Sequence, residues 1–179
     1  DIIDDICLTE DDFKLKQETI RGVNYKCFDS KISNLNDYFK LSLKYPDNDM
    51  LVFDNERYTF QSCYDLSSAF ANALIERFKI KKGDRIAIAS RNYPEWINSF
   101  IAITSIGAIA VPLNSWWTKD ELKYGIENCG AKIIIVDDKR YDLIETFADT
   151  DNLSLISIRC NTSDDLNWDN LIKPFSKLK

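Results

Sequence analysis

Histidine is absent from this chain of 179 residues. Without an imidazole, the Ser–His and Cys–His arrangements that activate a nucleophile cannot be built. Most catalytic zinc sites are excluded on the same ground, because their protein ligands usually include histidine. The composition therefore argues against both classes of catalytic site.

Glycine is also scarce, with five residues at positions 22, 83, 107, 125 and 130. Neither G-x-G-x-x-G nor G-x-x-x-x-G-K-[S/T] can be written from these positions. Both motifs need glycine where the backbone bends tightly or approaches a phosphate group closely. The sequence therefore predicts neither a dinucleotide-binding fingerprint nor a P-loop.

The chain has five cysteines, at positions 7, 27, 63, 129 and 160. Their odd number, their wide spacing and the lack of a C-x-x-C pair indicate neither a zinc ribbon nor a thioredoxin-type redox pair. Free, mostly buried thiols are typical of proteins in the reducing cytosol. The cysteines therefore predict a cytoplasmic protein without disulfides.

Acidic residues outnumber basic ones, 29 to 23, and the net charge is −6. A phosphate backbone would repel such a surface, and the basic residues are scattered, so no nucleic-acid partner is expected. The most apolar stretch, from Ile101 to Leu113, is too short to cross a bilayer, which needs roughly 20 residues. With 45% hydrophobic and 29% charged residues, the chain has the composition of a globular domain.

The chain divides into an acidic arm, residues 1–30, and an α/β domain, residues 31–179. The arm has no sustained hydrophobic period, so we expect it to be irregular. A short helix is predicted from Leu35 to Tyr45. Two short apolar segments, Met50–Phe53 and Tyr58–Phe60, flank a polar turn and predict a small hairpin. The apolar stripe from Gln61 to Phe78 then predicts an amphipathic helix.

Four short apolar runs alternate with helical segments in the rest of the chain. The runs are Ile86–Ala89, Ile109–Val111, Ile133–Val136 and Leu155–Ile158. The predicted helices run from Pro94 to Ile106, from Thr118 to Cys129, from Tyr141 to Phe147 and from Trp168 to Ile172. Continuous apolar strands between helices are buried on both faces, so the pattern predicts a mostly parallel sheet flanked by helices.

Polar and aromatic residues cluster where the predicted strands end. In an open parallel sheet, ligands bind beyond the carboxyl ends of the strands. The clusters are Ser90–Tyr93, Pro112–Trp117 and Asp137–Arg140. Arg91, Asn92 and Glu95 belong to this region, but a turn or cap explains Asn92, and the helix macrodipole explains Glu95.

The stretch from Gly83 to Asp138 contains, in order, G-D-R, N-x-P-E, G-A-x-x-V-P-L-N and G-A-K-x-x-I-x-D. It resembles the N-terminal subdomain of the acyl-adenylate-forming superfamily, the AMP-dependent synthetases and ligases. Glu18–Phe28 resembles the leader of bacterial fatty-acyl-CoA synthetases, which the chain resembles most. Trp168–Leu171 resembles the segment just before the family's phosphate loop. The resemblance covers nearly the whole chain.

The resemblance implies an acyl-CoA synthetase. In that family a carboxylic acid reacts with ATP to give an acyl-adenylate and pyrophosphate, and CoA then takes the acyl group. The family's phosphate loop, magnesium-binding acid, ribose-binding Asp and C-terminal Lys are not found here. The chain is therefore expected to be truncated before the phosphate loop and inactive alone, with no cofactor of its own. ATP, Mg and CoA would bind in the full-length enzyme, and the remainder of the synthetase would be its partner.

The resemblance also implies an acyl or CoA surface formed by Trp116, Trp117, Lys139 and Arg140. The two tryptophans would form a channel wall, or alternatively pack at a subdomain contact. Lys139 and Arg140 would contact CoA phosphates, or alternatively form a solvated helix start. The adjacent Asp137 and Asp138 would partly cancel their field. No catalytic and no metal-binding residue is expected.

A second hypothesis is a non-catalytic α/β module used for binding or assembly. A stop codon after Lys179 in the native gene would favour it, whereas a reading frame that continues into a Ser/Thr/Gly-rich loop would favour the ligase. If the rest of a ligase normally covers part of this domain, the exposed apolar surface would promote self-association, so a homo-oligomer is left open.

Overall fold

The computed structural model describes residues 2–9, 13–29, 32–148, 153–160 and 166–176. These residues belong to two compact units, Asp1–Tyr38 and Phe39–Lys179. The predicted α/β class is confirmed. The four-stranded parallel sheet and the helices that pack on it all lie in the second unit.

The first unit contains regular structure where the sequence predicts an irregular arm. Helix α1 spans Ile2–Thr9, and strands β1, Leu15–Ile20, and β2, Val23–Phe28, pair antiparallel. The two turn residues, Arg21 and Gly22, have φ of 51° and 81°, as a tight hairpin turn needs. The prediction of irregularity was wrong: the two strands expose both faces and so show no apolar alternation, and the short helix α1 buries none of its residues.

The short elements that come next follow the predicted order. Helix α2 spans Leu35–Leu41, across the boundary between the two units, and a 3₁₀ turn, Ser42–Lys44, follows it. Strands β3, Asp49–Phe53, and β4, Glu56–Thr59, form the predicted hairpin. Helix α3, Phe60–Glu76, starts where the Thr59 hydroxyl accepts the Ser62 N–H, an N-cap that satisfies a free helix donor.

Four strands and four helices make up the rest of the second unit in the part of the chain that the structure describes. The strands are β5 Arg85–Ala89, β6 Ile109–Pro112, β7 Ile133–Asp137 and β8 Ser154–Ile158, and the helices are α4 Pro94–Ser105, α5 Lys119–Cys129, α6 Asp138–Ala148 and α7 Trp168–Ile172. The four strands are parallel and form the main sheet in the order β6-β5-β7-β8. In the two central strands, Ile88 pairs with Ile135. The predicted parallel sheet is therefore confirmed.

Both faces of this sheet are covered. Ile133 and Ile135 of β7 pack on the side of α3, α4 and α7, whereas Ile134 and Val136 pack on the opposite side, with α5 and α6. All four side chains are essentially inaccessible to solvent. Because both faces of β7 are buried, its sequence is a continuous run of apolar residues.

The two ends of α5 and the start of α6 are formed by capping residues. Thr118 and Glu121 form the predicted capping box, and Gly130 ends α5 with a left-handed φ of 63°. Helix α6 starts at Asp138, three residues before the predicted Tyr141. The side chain of Asp137 accepts the Arg140 N–H and so caps the earlier turn.

All five cysteines are free thiols, but only Cys63 is buried, so the expectation of mostly buried thiols was wrong. Among the described residues, no helix has both the length and the apolar character needed to span a bilayer.

Candidate functional site

The loops that follow β5 and β6 meet the end of β7 and the start of α6 at the carboxyl ends of the strands, around a buried ion pair. Nη1 of Arg140 lies 2.9 Å from Oδ1 and 3.0 Å from Oδ2 of Asp137. The side chains of Arg140 and Asp137 are only 6% and 1% exposed. A charged pair this deeply buried needs further hydrogen bonds to offset the loss of hydration.

The backbone of the two neighbouring loops supplies those bonds. Nε of Arg140 donates to the carbonyl oxygen of Ser115 at 2.7 Å, and Nη2 donates to the same oxygen. Oδ2 of Asp137 accepts the backbone N–H of Arg91 at 3.0 Å. One ion pair therefore ties together the ends of three strands.

Trp116 lies on the solvent side of this junction and is 77% exposed. The guanidinium carbon of Arg91 lies 5.4 Å from the centre of its ring, within cation–π distance. The backbone N–H of Trp116 donates to the Asn114 side chain at 2.9 Å, which shapes the turn. Lys139 is also exposed, in the first turn of α6. An aromatic face and two cations are thus available to solvent at this edge.

Trp117 is packed more deeply than its neighbour. It is half-buried against the core cluster under α5 and α6. A Cβ placed on Gly125 would lie 2.8 Å from Cζ3 of Trp117, so this position in α5 admits the ring because it has no side chain. The four predicted site residues therefore occupy one region, with Trp116 and Lys139 outside and Trp117 and Arg140 inside. Their role in ligand binding stays a prediction.

A second cluster, which the sequence reasoning missed, is centred on Arg159. Its Nε lies 3.0 Å from both carboxylate oxygens of Glu95, and its Nη1 and Nη2 lie 2.9 and 2.8 Å from those of Glu56. Its guanidinium carbon is 4.9 Å from the ring centre of Phe53 and 5.1 Å from that of Tyr93. Arg159 follows β8 and has a left-handed φ of 54°.

The charges of this cluster change the acidity of its members. Hydrogen bonds from Arg159, and then from Tyr58, lower the pKa of Glu56 from 4.5 to about 2. Burial, followed by the hydrogen bond to Glu56, raises the pKa of Tyr58 above its usual value. The pKa of Arg159 is raised chiefly by its bond to Glu56. All three groups therefore keep one charge state across the physiological range.

No local sequence signal points to this cluster. Arg159 is 64 residues from Glu95 and 103 residues from Glu56. The sequence reasoning attributed Glu95 to the macrodipole of α4, and the carboxylate does lie in the first turn of that helix. Its bond to Arg159 depends on β8 lying at the edge of the sheet, which local patterning does not report.

A groove of about 350 Å³ lies between strand β3 and the start of α4. Its lining residues are mostly apolar: Leu51, Val52, Phe53, Asn92, Tyr93, Pro94, Trp96 and Ile97. Its size falls within the range of small-molecule sites. Among the residues that the structure describes, no group of His, Cys, Asp and Glu side chains could hold a metal ion.

A family profile described as "AMP-binding enzyme" matches residues 40–173. The 2-succinylbenzoate–CoA ligase of Bacillus velezensis is 34% identical over 112 residues, which cover 60% of this chain and 23% of that protein. The long-chain-fatty-acid–CoA ligase of Haemophilus influenzae is 31% identical over 108 residues, which cover 60% of this chain and 19% of that one. The chain therefore spans less than a quarter of these relatives.

The fold is also found among solved structures. The crystal structure of an anthranilate CoA ligase in complex with anthranoyl-AMP superimposes with a TM-score of 0.73 at 23% identity. The match covers 82% of this chain and 28% of that one. At this level of identity, the likeness bears on the architecture alone.

Proposed function

The chain belongs to the AMP-binding enzyme family, and from this membership we propose that it is the N-terminal part of an ATP-dependent acyl-CoA ligase. The observation that carries the proposal is the family match over residues 40–173, which coincides with the parallel sheet and its helices. Two relatives that are named as CoA ligases support the acid–thiol ligase class.

The proposed reaction has two steps. A carboxylate attacks the α-phosphate of ATP, which gives an acyl-adenylate and releases pyrophosphate. The CoA thiol then attacks the acyl carbon, which gives acyl-CoA and releases AMP. The adenylate bound to the anthranilate CoA ligase is an intermediate of this type in a protein of the same fold. ATP, Mg and CoA are accordingly the proposed cofactors and co-substrate of the whole enzyme.

We propose that this chain alone does not perform adenylation. Phosphoryl-group chemistry depends on donors placed around the transferring group. The sequence contains no glycine-rich phosphate loop, and its five glycines lie in turns and helices. The role assigned to this chain is to supply the scaffold and part of the ligand surface.

Trp116, Trp117, Lys139 and Arg140 form the proposed acyl or CoA surface. Trp116 offers an exposed aromatic face on which an adenine or acyl group could pack. Lys139 is an exposed cation suited to a phosphate group. Trp117 and Arg140 lie behind these two side chains and support the loops that carry them.

ATP–pyrophosphate exchange tests the proposal directly. The chain is assayed with a panel of aliphatic and aromatic carboxylic acids, beside a longer polypeptide from the same reading frame. Exchange by the longer polypeptide alone is the expected result. Exchange by the 179-residue chain would overturn the assignment of adenylation to other residues. A reading frame that stops after Lys179 would favour the binding-module hypothesis instead.

The ligand surface has a separate test. CoA is titrated into the chain, and Trp116→Ala and Lys139→Met are compared with Lys81→Met, an exposed lysine in the turn before β5, at the other end of the sheet. The first two variants are expected to weaken CoA binding, whereas Lys81→Met leaves it unchanged. Equal affinity in all three variants would contradict the proposed surface.

A further inference from the structure

The geometry points to Asp137 and Arg140 as positioning residues that set the spacing between Trp116 and Arg91 at the sheet edge. Asp137 accepts the backbone N–H of Arg91 itself. Arg140 donates to the carbonyl of Ser115, one peptide bond before Trp116. Both members of the exposed aromatic–cation pair are therefore anchored through their backbones to one buried ion pair. The consequence for ligand binding rests on the proposed function.

Burial explains why these two side chains act through others. Arg140 and Asp137 are 6% and 1% exposed, so neither guanidinium nor carboxylate can meet a ligand in solvent without rearrangement. Buried ion pairs are weak contributors to stability, and apolar pairs of similar size often replace them with little loss. We therefore assign this pair a geometric role, because it joins segments 46 and 25 residues apart.

Within the described residues, the other hydrogen bonds of the loop around Trp116 are made by the backbone N–H groups that flank or form its turn. Leu113 donates to the Ile88 carbonyl, Trp116 to the Asn114 side chain and Trp117 to the Asn114 carbonyl. The side chain of Trp116 is itself 77% exposed. On the far side, Trp117 packs on α5 and fixes the end of the loop. Without the bond to the Ser115 carbonyl, the peptide before Trp116 loses its link to Arg140 in α6. The indole should then sample several positions relative to Arg91.

The test uses a double variant, Asp137→Leu with Arg140→Met, which removes both charges and keeps the side-chain volume. The chain is labelled with 5-fluorotryptophan, and the resonance of Trp116 is assigned by its loss in Trp116→Phe. In the double variant we expect this resonance to shift and broaden while that of Trp168 stays in place. Amide exchange at residues 113–118 should accelerate at least tenfold.

A matched control separates positioning from general loss of stability. Ile103→Val removes one methylene from a fully buried side chain near the end of α4. It should lower stability without moving the Trp116 resonance. If the double variant fails to fold, Arg140→Lys replaces it, since lysine keeps a charge for Asp137 but lacks the forked donors that reach Ser115. It should shift Trp116 and leave the Arg91 amide protected.

The outcomes keep the two proposals apart. A Trp116 resonance and loop exchange equal to the wild type would overturn the positioning inference, whatever CoA does. Failure of the wild-type chain to bind CoA would instead count against the proposed surface. The Trp116 resonance would still test whether the ion pair positions Trp116. If both proposals hold, CoA affinity should fall about tenfold in the double variant, because two side chains must then be ordered on binding.

Discussion

Replacing Arg159 with methionine should loosen the contact between strand β8, the β3–β4 hairpin and helix α4. Arg159 bonds Glu56 from the hairpin and Glu95 from α4 through separate edges of one guanidinium. It also lies over the rings of Phe53 and Tyr93. Methionine keeps much of the aliphatic stem and removes the charge, so the change isolates the guanidinium.

The size of the effect follows from exposure. The side chains of Arg159 and Glu95 are 27% and 13% exposed, so their paired contact lies at the upper end of the exposed-pair range, about 1 kcal/mol. Each ring contact contributes about 0.5 kcal/mol. We expect the free energy of unfolding to fall by about 2 kcal/mol, which corresponds to a decrease in Tm of about 4–8 °C for a chain of this size.

Urea unfolding and thermal unfolding of the wild type and of Arg159→Met measure this difference in the free energy of unfolding. Arg57→Met is the matched control, because Arg57 lies on the same hairpin and its ion pair with Asp49 is half-exposed and 3.9 Å long. The control should change stability by less than about 0.5 kcal/mol. Equal unfolding curves for Arg159→Met and Arg57→Met would refute the view that Arg159 joins the three elements.

Acid titration gives a second readout of the same cluster. The pKa of Glu56 is about 2 in the folded chain and 4.5 as its ordinary value, so its ionised form is favoured by folding. The resulting stabilisation is complete above pH 4.5 and is lost as the pH falls from 4.5 to 2. Arg159→Met removes the main cause of the shift and should flatten the stability curve in this window. A slope unchanged from the wild type would contradict the assignment.

Three further predictions concern other positions. Gly125→Ala should lower stability by about 1 kcal/mol in urea unfolding, despite the better helix propensity of alanine, because its methyl group would meet the Trp117 ring; higher stability would show that the ring moves freely. Thr118→Ala should remove the capping box with Glu121 and lower stability by about 1 kcal/mol in the same assay. Cys63 should react with a thiol reagent more slowly than the four half-buried cysteines, because its side chain is inaccessible to solvent. Burial also raises the pKa of both Cys63 and Cys160 to about 11, so Cys160 should be the slower of the half-buried four. Mass spectrometry that finds Cys63 labelled first would contradict this.

Residue patterns alone were sufficient for most of the second unit. Strand β7 is buried on both faces, which requires apolar residues at every position, so Ile133–Val136 identified a parallel strand. Thr118 and Gly130 marked the ends of α5, since caps and left-handed turns depend on one or a few neighbouring residues. The hairpin of the first unit left no such trace, because its strands expose both faces.

By itself, the sequence determined the α/β class, the strand order along the chain, the family resemblance and the strand ends where Trp116 and Arg140 meet. These features follow from interactions between residues close in sequence or from motifs read in order. Only the tertiary structure decided that Arg140 faces inward onto Asp137 and Ser115, and that Arg159 binds Glu56 and Glu95. Apart from Asp137, three residues before Arg140, the partners lie 25 to 103 positions away along the chain. These contacts exist because the sheet places distant strand ends side by side, and no local pattern encodes that placement.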